Sequence, residues 1–174
     1  MRPRPPRPRL GIAAGCVAAV LACSAASAQG VDEASLKAAI VYRLLTFVDW
    51  PAGRMPEPGG TLVLCVEPRH PSAVPLRLLA RNVVRQWVLA VRDSPPTPMA
   101  QCHAWLGTSP PADARAGDGT LLVSDRPRQL DALTHVWLVR DGDRVGFELD
   151  LSNARRSGLQ ISARLARLAR NVRE

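Results

Sequence analysis

No GxSxG elbow, Walker loop, HExxH helix or GxGxxG fingerprint occurs in this 174-residue chain. The sequence therefore nominates no activated serine, phosphate cradle, zinc-peptidase helix or dinucleotide site. The nearest approach to a glycine-rich cradle, Gly117-Asp118-Gly119, has Leu122 where a third glycine would stand and reads as a polar turn. Ser124-Asp125 and His135 cannot be assembled into a triad from spacing alone. Histidine is scarce: His70 and His103 would need further ligands to hold a metal, and His135 is the only other one. No enzyme activity, cofactor or metal is expected. Lysine is nearly absent too, since 22 of the 23 basic residues are arginine. That bias looks like codon composition rather than a phosphate-binding stripe, and no nucleic-acid partner is expected.

Acidic residues are missing from the first 28 positions, which hold four arginines, Arg2, Arg4, Arg7 and Arg9. The opening MRPRPPRPR is a basic n-region, and residues 10–22 form an apolar run of h-region length. That run is short of the ~20 residues a membrane span needs. Ala26-Ser27-Ala28 follows with the small-x-small pattern of a signal-peptidase site, so residues 1–28 read as a signal peptide cleaved after Ala28. No adjacent arginine pair points to the twin-arginine route. A second reading is a lipoprotein, because Val20-Leu21-Ala22-Cys23 loosely resembles a lipobox that would anchor the chain through Cys23. Without the first 28 residues the basic side chains fall to 19 against 15 acidic ones, net +4. The protein is expected in the periplasm.

Cysteine is limited to four residues, and Cys16 and Cys23 lie in the discarded segment. An even pair, Cys65 and Cys102, meets an oxidising compartment, so a disulfide between them is expected. Two buried free thiols are the alternative. The closed loop would be about 38 residues, for which the chain-entropy model gives roughly 4 kcal/mol.

What the chain does carry is patterning. From Asp32, an N-cap with Glu33 beside it, a helical pattern runs to Trp50 and stops at Pro51. Leu36, Ile40, Leu44 and Phe47 make one stripe and are predicted to be core. The other side, with Ala38, Val41, Tyr42, Leu45 and Val48, is almost uncharged. Such a helix is either buried on two sides or offers an apolar surface to a partner. Residues 51–60 are a Pro- and Gly-rich loop, and residues 61–66 are a continuously apolar strand covered on both faces. A helix over 73–81 and a strand over 83–91 complete a strand–helix–strand unit. Pro95-Pro96-Thr97-Pro98 breaks the chain, and short strands follow over 102–106 and 120–123. Residues 135–139 and 144–149 flank Asp141-Gly142-Asp143, a hairpin turn. Glu148 and Asp150 are expected on one solvated strand face. Ile161, Leu165, Leu168 and Val172 predict a C-terminal helix, with Arg164, Arg167, Arg170 and Arg173 on the remaining surface. Those arginines are a solvated face or a contact to anionic lipid headgroups or an acidic partner. The fold class is α/β: a single domain over 29–174, with a mixed, largely parallel sheet flanked by helices, a late β-hairpin and a C-terminal helix.

Three stretches together resemble the YfiR-like family of exported proteins, first catalogued as a domain of unknown function. They are Lys37-Ala38-Ala39-Ile40-Val41-Tyr42 leading to Phe47-Val48-Asp49-Trp50-Pro51, then Leu64-Cys65-Val66 with Cys102-His103, and last Val145-Gly146-Phe147-Glu148-Leu149 through Asn153 to Ser162 and Leu165-Ala166-Arg167-Leu168-Ala169. Arg43 stands where the family usually shows Asn. The resemblance implies an α/β fold and a periplasmic regulator. Such a protein would hold the periplasmic domain of an inner-membrane diguanylate cyclase inactive, modulate cyclic-di-GMP signalling, and be open to sequestration by an outer-membrane lipoprotein. A homodimer is a further expectation. Tyr42, Leu45 and Trp50 on the first helical segment, with Arg155 and Arg156, are the candidate partner-binding residues. The competing reading is a periplasmic small-ligand sensor feeding a histidine kinase, with a pocket built on Trp87, Trp105 or Trp137.

Overall fold

The computed structural model describes residues 32–93, 101–127 and 131–174. The signal segment with Cys16, Cys23 and Ala28, and the Pro95–Pro98 break, lie outside the described residues. The elements are α1 (Glu33–Leu44), β1 (Val48–Asp49), β2 (Thr61–Val66), α2 (Ala73–Leu78), β3 (Val83–Val84), β4 (Trp87–Arg92), β5 (Ala104–Gly107), β6 (Leu121–Ser124), β7 (Val136–Asp141), β8 (Arg144–Asp150), α3 (Leu151–Arg156), β9 (Gln160–Ile161), α4 (Ala163–Ala166) and β10 (Asn171–Arg173). Eight strands form one sheet in the order β10-β8-β7-β6-β5-β2-β4-β3, and β1 pairs with β9 in a small antiparallel sheet. The central strands β7, β6, β5, β2 and β4 run parallel to their neighbours within that group, whereas β8 on β7 and β3 on β4 are antiparallel. The expected α/β class with a largely parallel sheet is the observed one. Among the described residues no helix is long and apolar enough to cross a membrane.

Alternation along the central strands assigns the two faces of the sheet. Leu62, Leu64 and Val66 of β2, Ala104 and Leu106 of β5, and Leu121 and Val123 of β6 enter the main core with α1 and α2. Val63, Cys65, Trp105 and Leu122 enter a smaller core on the other face with Cys102. Both faces are thus covered, as continuously apolar strands require. The disulfide Cys65–Cys102 is formed in that smaller core, with Cα atoms 5.8 Å apart, and ties the end of β2 to the entry of β5.

Three local expectations are corrected. The first helix ends at Leu44 rather than Trp50, giving way to a 3₁₀ turn over Leu45–Phe47 and then to β1. Thr46 Oγ1 donates to the Arg43 carbonyl, and Val48 and Asp49 pair with Ile161 and Gln160, so tertiary pairing overrides helical propensity there. Residues 83–91 are not one strand but β3 and β4 joined by a tight turn in which Arg85 takes φ +58°. The long C-terminal helix is a single turn, α4, capped by Ser162, and the chain then runs into β10. The Arg170 amide donates to the Phe147 carbonyl, and residues 171–173 pair in parallel with 148–150. Edge pairing to β8 satisfies more backbone there than an exposed helix end would.

The hairpin of β7 and β8 forms as expected, with Gly142 at φ +58° in the turn. Asp150 is not on a solvated face: it is 1% exposed, accepts from the Asn153 amide at 2.7 Å and caps α3.

Candidate partner-binding surface

The face of α1 that packs on the sheet carries Ala38, Val41 and Leu44, followed by Leu45 in the 3₁₀ turn; all are buried. The stripe read from sequence as core is therefore rotated. Leu36, Ile40 and Phe47 stay half-buried and, with Ala39 and Arg43, line an open groove of about 240 Å³ between α1 and the C-terminal segment. Leu44, Phe147 and Leu165 make its floor, and Leu168, 66% exposed, stands on the far wall. A second, polar hollow of about 340 Å³ is lined by Thr46, Phe47, Asp49, Arg85, Ser162 and Arg164. The Arg85 guanidinium pairs with Asp49 and lies 5.4 Å from the centre of the Trp87 ring.

Ionic contacts fix the orientation of α1 over the sheet. Lys37 Nζ lies 2.6 Å from Glu33 and 2.5 Å from Asp125, which follows β6, and Asp125 Oδ2 lies 3.2 Å from His70 Nε2. Burial works against the Lys37 cation, yet its hydrogen bonds to Asp125 and Glu33 outweigh burial and hold its pKa above the ordinary lysine value. Burial likewise opposes the Asp125 anion, and the His70 and Lys37 hydrogen bonds overcome it, leaving its pKa low. Glu33 also receives Arg140 at 2.5 Å, joining the start of α1 to the β7–β8 hairpin.

Two histidines are structural. His135 Nδ1 accepts from the Leu122 amide at 2.8 Å, and its Nε2 faces Ser157 Oγ at 2.9 Å. Burial lowers its pKa to about 4. His103 Nδ1 accepts from the Val63 amide at 3.0 Å, and burial, followed by the neighbouring Arg54 charge, also lowers it to about 4. Among the described residues no group of three or more His, Cys, Asp or Glu side chains could hold a metal ion.

A family model described as YfiR/HmsC-like matches residues 34–170, which takes in α1 after Glu33, the disulfide pair Cys65 and Cys102, the groove and the hollow. The chain belongs to the YfiR/HmsC-like family. That family is regulatory and non-catalytic. No curated protein matches the chain.

In this YfiR/HmsC-like chain the candidate residues named from sequence do not form one surface. Leu45 is 0% and Trp50 3% exposed, so neither is available to a partner of the folded protein. Trp50 Nε1 donates to the His103 carbonyl at 2.8 Å, and its ring meets Trp87 edge-on with centroids 6.1 Å apart. Tyr42 is half-buried and spends its hydroxyl on the Val83 carbonyl at 2.9 Å. Arg155 and Arg156 are exposed at the end of α3, but Arg156 is held by Ser152 at 2.7 Å and by Asn153. Trp87, Trp105 and Trp137 are 1%, 4% and 2% exposed and serve as packing. The groove was missed because Leu36, Ile40 and Leu168 look like core in sequence. The available signal was that the first helical segment is apolar nearly all round, more than one buried face requires.

Proposed function

We propose that this protein is an exported, non-catalytic regulator that binds the periplasmic domain of an inner-membrane signalling protein, a diguanylate cyclase in the first instance, and so lowers cyclic-di-GMP output. The signal peptide cleaved after Ala28 would deliver it to the periplasm, and an outer-membrane lipoprotein would be a second partner able to withdraw it. Beyond membership of the YfiR/HmsC-like family, the observation that carries the reading is the open apolar groove between α1 and the C-terminal segment. Repression needs only that the inactive receptor conformation be bound better than the active one. Moving such a switch from 1:99 to 99:1 takes about 5.5 kcal/mol of preference. A few well-packed apolar anchors with arginines around them are of the right size for that.

The test is cyclic-di-GMP measured in the host with the gene deleted, restored, and restored as Leu168→Asp. Deletion should raise the nucleotide, the wild-type gene should lower it again, and the variant should not, while accumulating as folded protein. An unchanged cyclic-di-GMP level on deletion would refute the regulatory reading.

A further inference from the structure

The apolar groove and the polar hollow adjoin at Phe47, which lines both, so the two together make a depression with α1 on one side and Arg85 and Arg164 on the other. Among the described residues no acidic side chain lines the groove. The acids near its ends are already engaged: Glu33 by Lys37 and Arg140, Asp141 by Arg170, and Asp49 by Arg85. Arg43 on the groove wall, Arg164 in the hollow and Arg167 next to Leu168 are exposed and have no side-chain partner among the described residues. The depression is thus apolar along its floor and carries uncompensated positive charge at its margins. The apolar part is open to solvent, unlike the pockets that enclose most of a small molecule's surface. Its floor residues Leu44, Phe147 and Leu165 are recessed, a concave shape that receives projecting side chains rather than one that inserts into a lipid surface.

We propose that this depression is a bipartite docking site for an acidic, amphipathic helical segment of a protein partner. The segment's apolar side chains would fill the space between Leu36, Ile40, Phe47 and Leu168, and its carboxylates would meet Arg43, Arg164 and Arg167. The inference rests on the reading of the protein as a binding regulator and adds to it the chemistry of what is bound.

The experiment uses the full mature chain and two labelled synthetic helical peptides with the same leucine face, one carrying glutamates and the other lysines at the remaining positions. Fluorescence anisotropy should show binding of the glutamate peptide and at least about tenfold weaker binding of the lysine peptide. Leu168→Asp and Arg164→Glu should each weaken the glutamate peptide about tenfold, the second more at low salt than at high salt. Both residues are exposed, so both variants should melt as the wild type does. The proposal is overturned if neither peptide binds, if the lysine peptide binds as well, or if the variants bind like the wild type. It is also overturned if Leu168 is needed instead for sedimentation with phosphatidylglycerol vesicles, or for self-association in sedimentation velocity. Failure with the peptides alongside a cyclic-di-GMP response to Leu168→Asp would remove only the partner chemistry. Peptide binding with no cyclic-di-GMP response would remove only the regulatory reading.

Discussion

Acidification from pH 7 to pH 5 should destabilise the protein through His135. The ring is 1% exposed and takes the Leu122 amide on Nδ1, which leaves the single proton of the neutral imidazole on Nε2, donated to Ser157 Oγ. A second proton would have to displace the Leu122 hydrogen bond and charge a buried ring, which is why the folded-state pKa falls from 6.5 to about 4. The unfolded chain binds that proton first, so this contribution to stability is complete above pH 6.5 and is lost as pH falls toward 4. Linkage then gives a loss of about 2 kcal/mol between pH 7 and pH 5 from this one residue. His103 is displaced in the same direction but is partly exposed, so its loss is smaller. The carboxylates with lowered pKa values, Asp125 and Glu33 among them, contribute stability that is lost only at lower pH, below the unfolded carboxylate range near 4. Urea unfolding of wild type and His135→Asn at the two pH values checks this. The variant should be weaker at pH 7, since it gives up the Ser157 contact and ring packing, but its stability should change about 2 kcal/mol less between the two pH values. Equal losses in the two proteins would refute the assignment of the pH dependence to His135.

Mass spectrometry of the periplasmic protein under non-reducing conditions should give chain 29–174 less two hydrogens, and Cys65→Ala with Cys102→Ala should lower unfolding stability by about 4 kcal/mol; two alkylatable thiols in the native protein would contradict this. Leu45→Asp should abolish soluble folded protein because a buried unpaired carboxylate costs several kcal/mol, whereas Ile40→Asp on the groove should fold and lose partner binding, an order read by melting temperature and cyclic-di-GMP together. Lys37→Met should cost about 1–2 kcal/mol, because Asp125 loses one of its two partners and keeps His70, and Lys37→Met with Asp125→Leu should recover part of that loss in urea unfolding.

The central sheet was legible because its strands declare themselves. TLVLCV is apolar at every position after Thr61, as a strand covered on both faces must be, and Asp141-Gly142-Asp143 marks a turn with a stated backbone requirement. The family was legible through the long match running from Val145 to Ala169. The partner surface was not, because helical periodicity fixes which residues share a face but not which face meets the sheet. The choice between Leu36-Ile40 and Ala38-Val41 is made by close approach of small and β-branched residues to neighbouring elements, a tertiary fact. The last turn failed for a related reason. Arg170 to Arg173 have ordinary helical propensity, and only the free edge of β8 draws them into a strand.

The covalent closure from Cys65 to Cys102 encircles a particular part of the molecule. Between the two cysteines the chain forms α2, β3 and β4, and β4 pairs with β2 on the side opposite to β5, which carries the far end of the closure. This α2–β3–β4 unit forms one margin of the sheet, the kind of terminal element that two copies of a protein can trade with one another. Trading requires the unit to swing away as an open arm on a hinge. The ends of the unit run into β2 and β5 through the peptide chain in either redox form, and the closed ring additionally holds those two ends together. In the oxidised protein any opening of this margin must keep the end of β2 and the entry of β5 within reach of the bond, a restraint that the thiol form lacks.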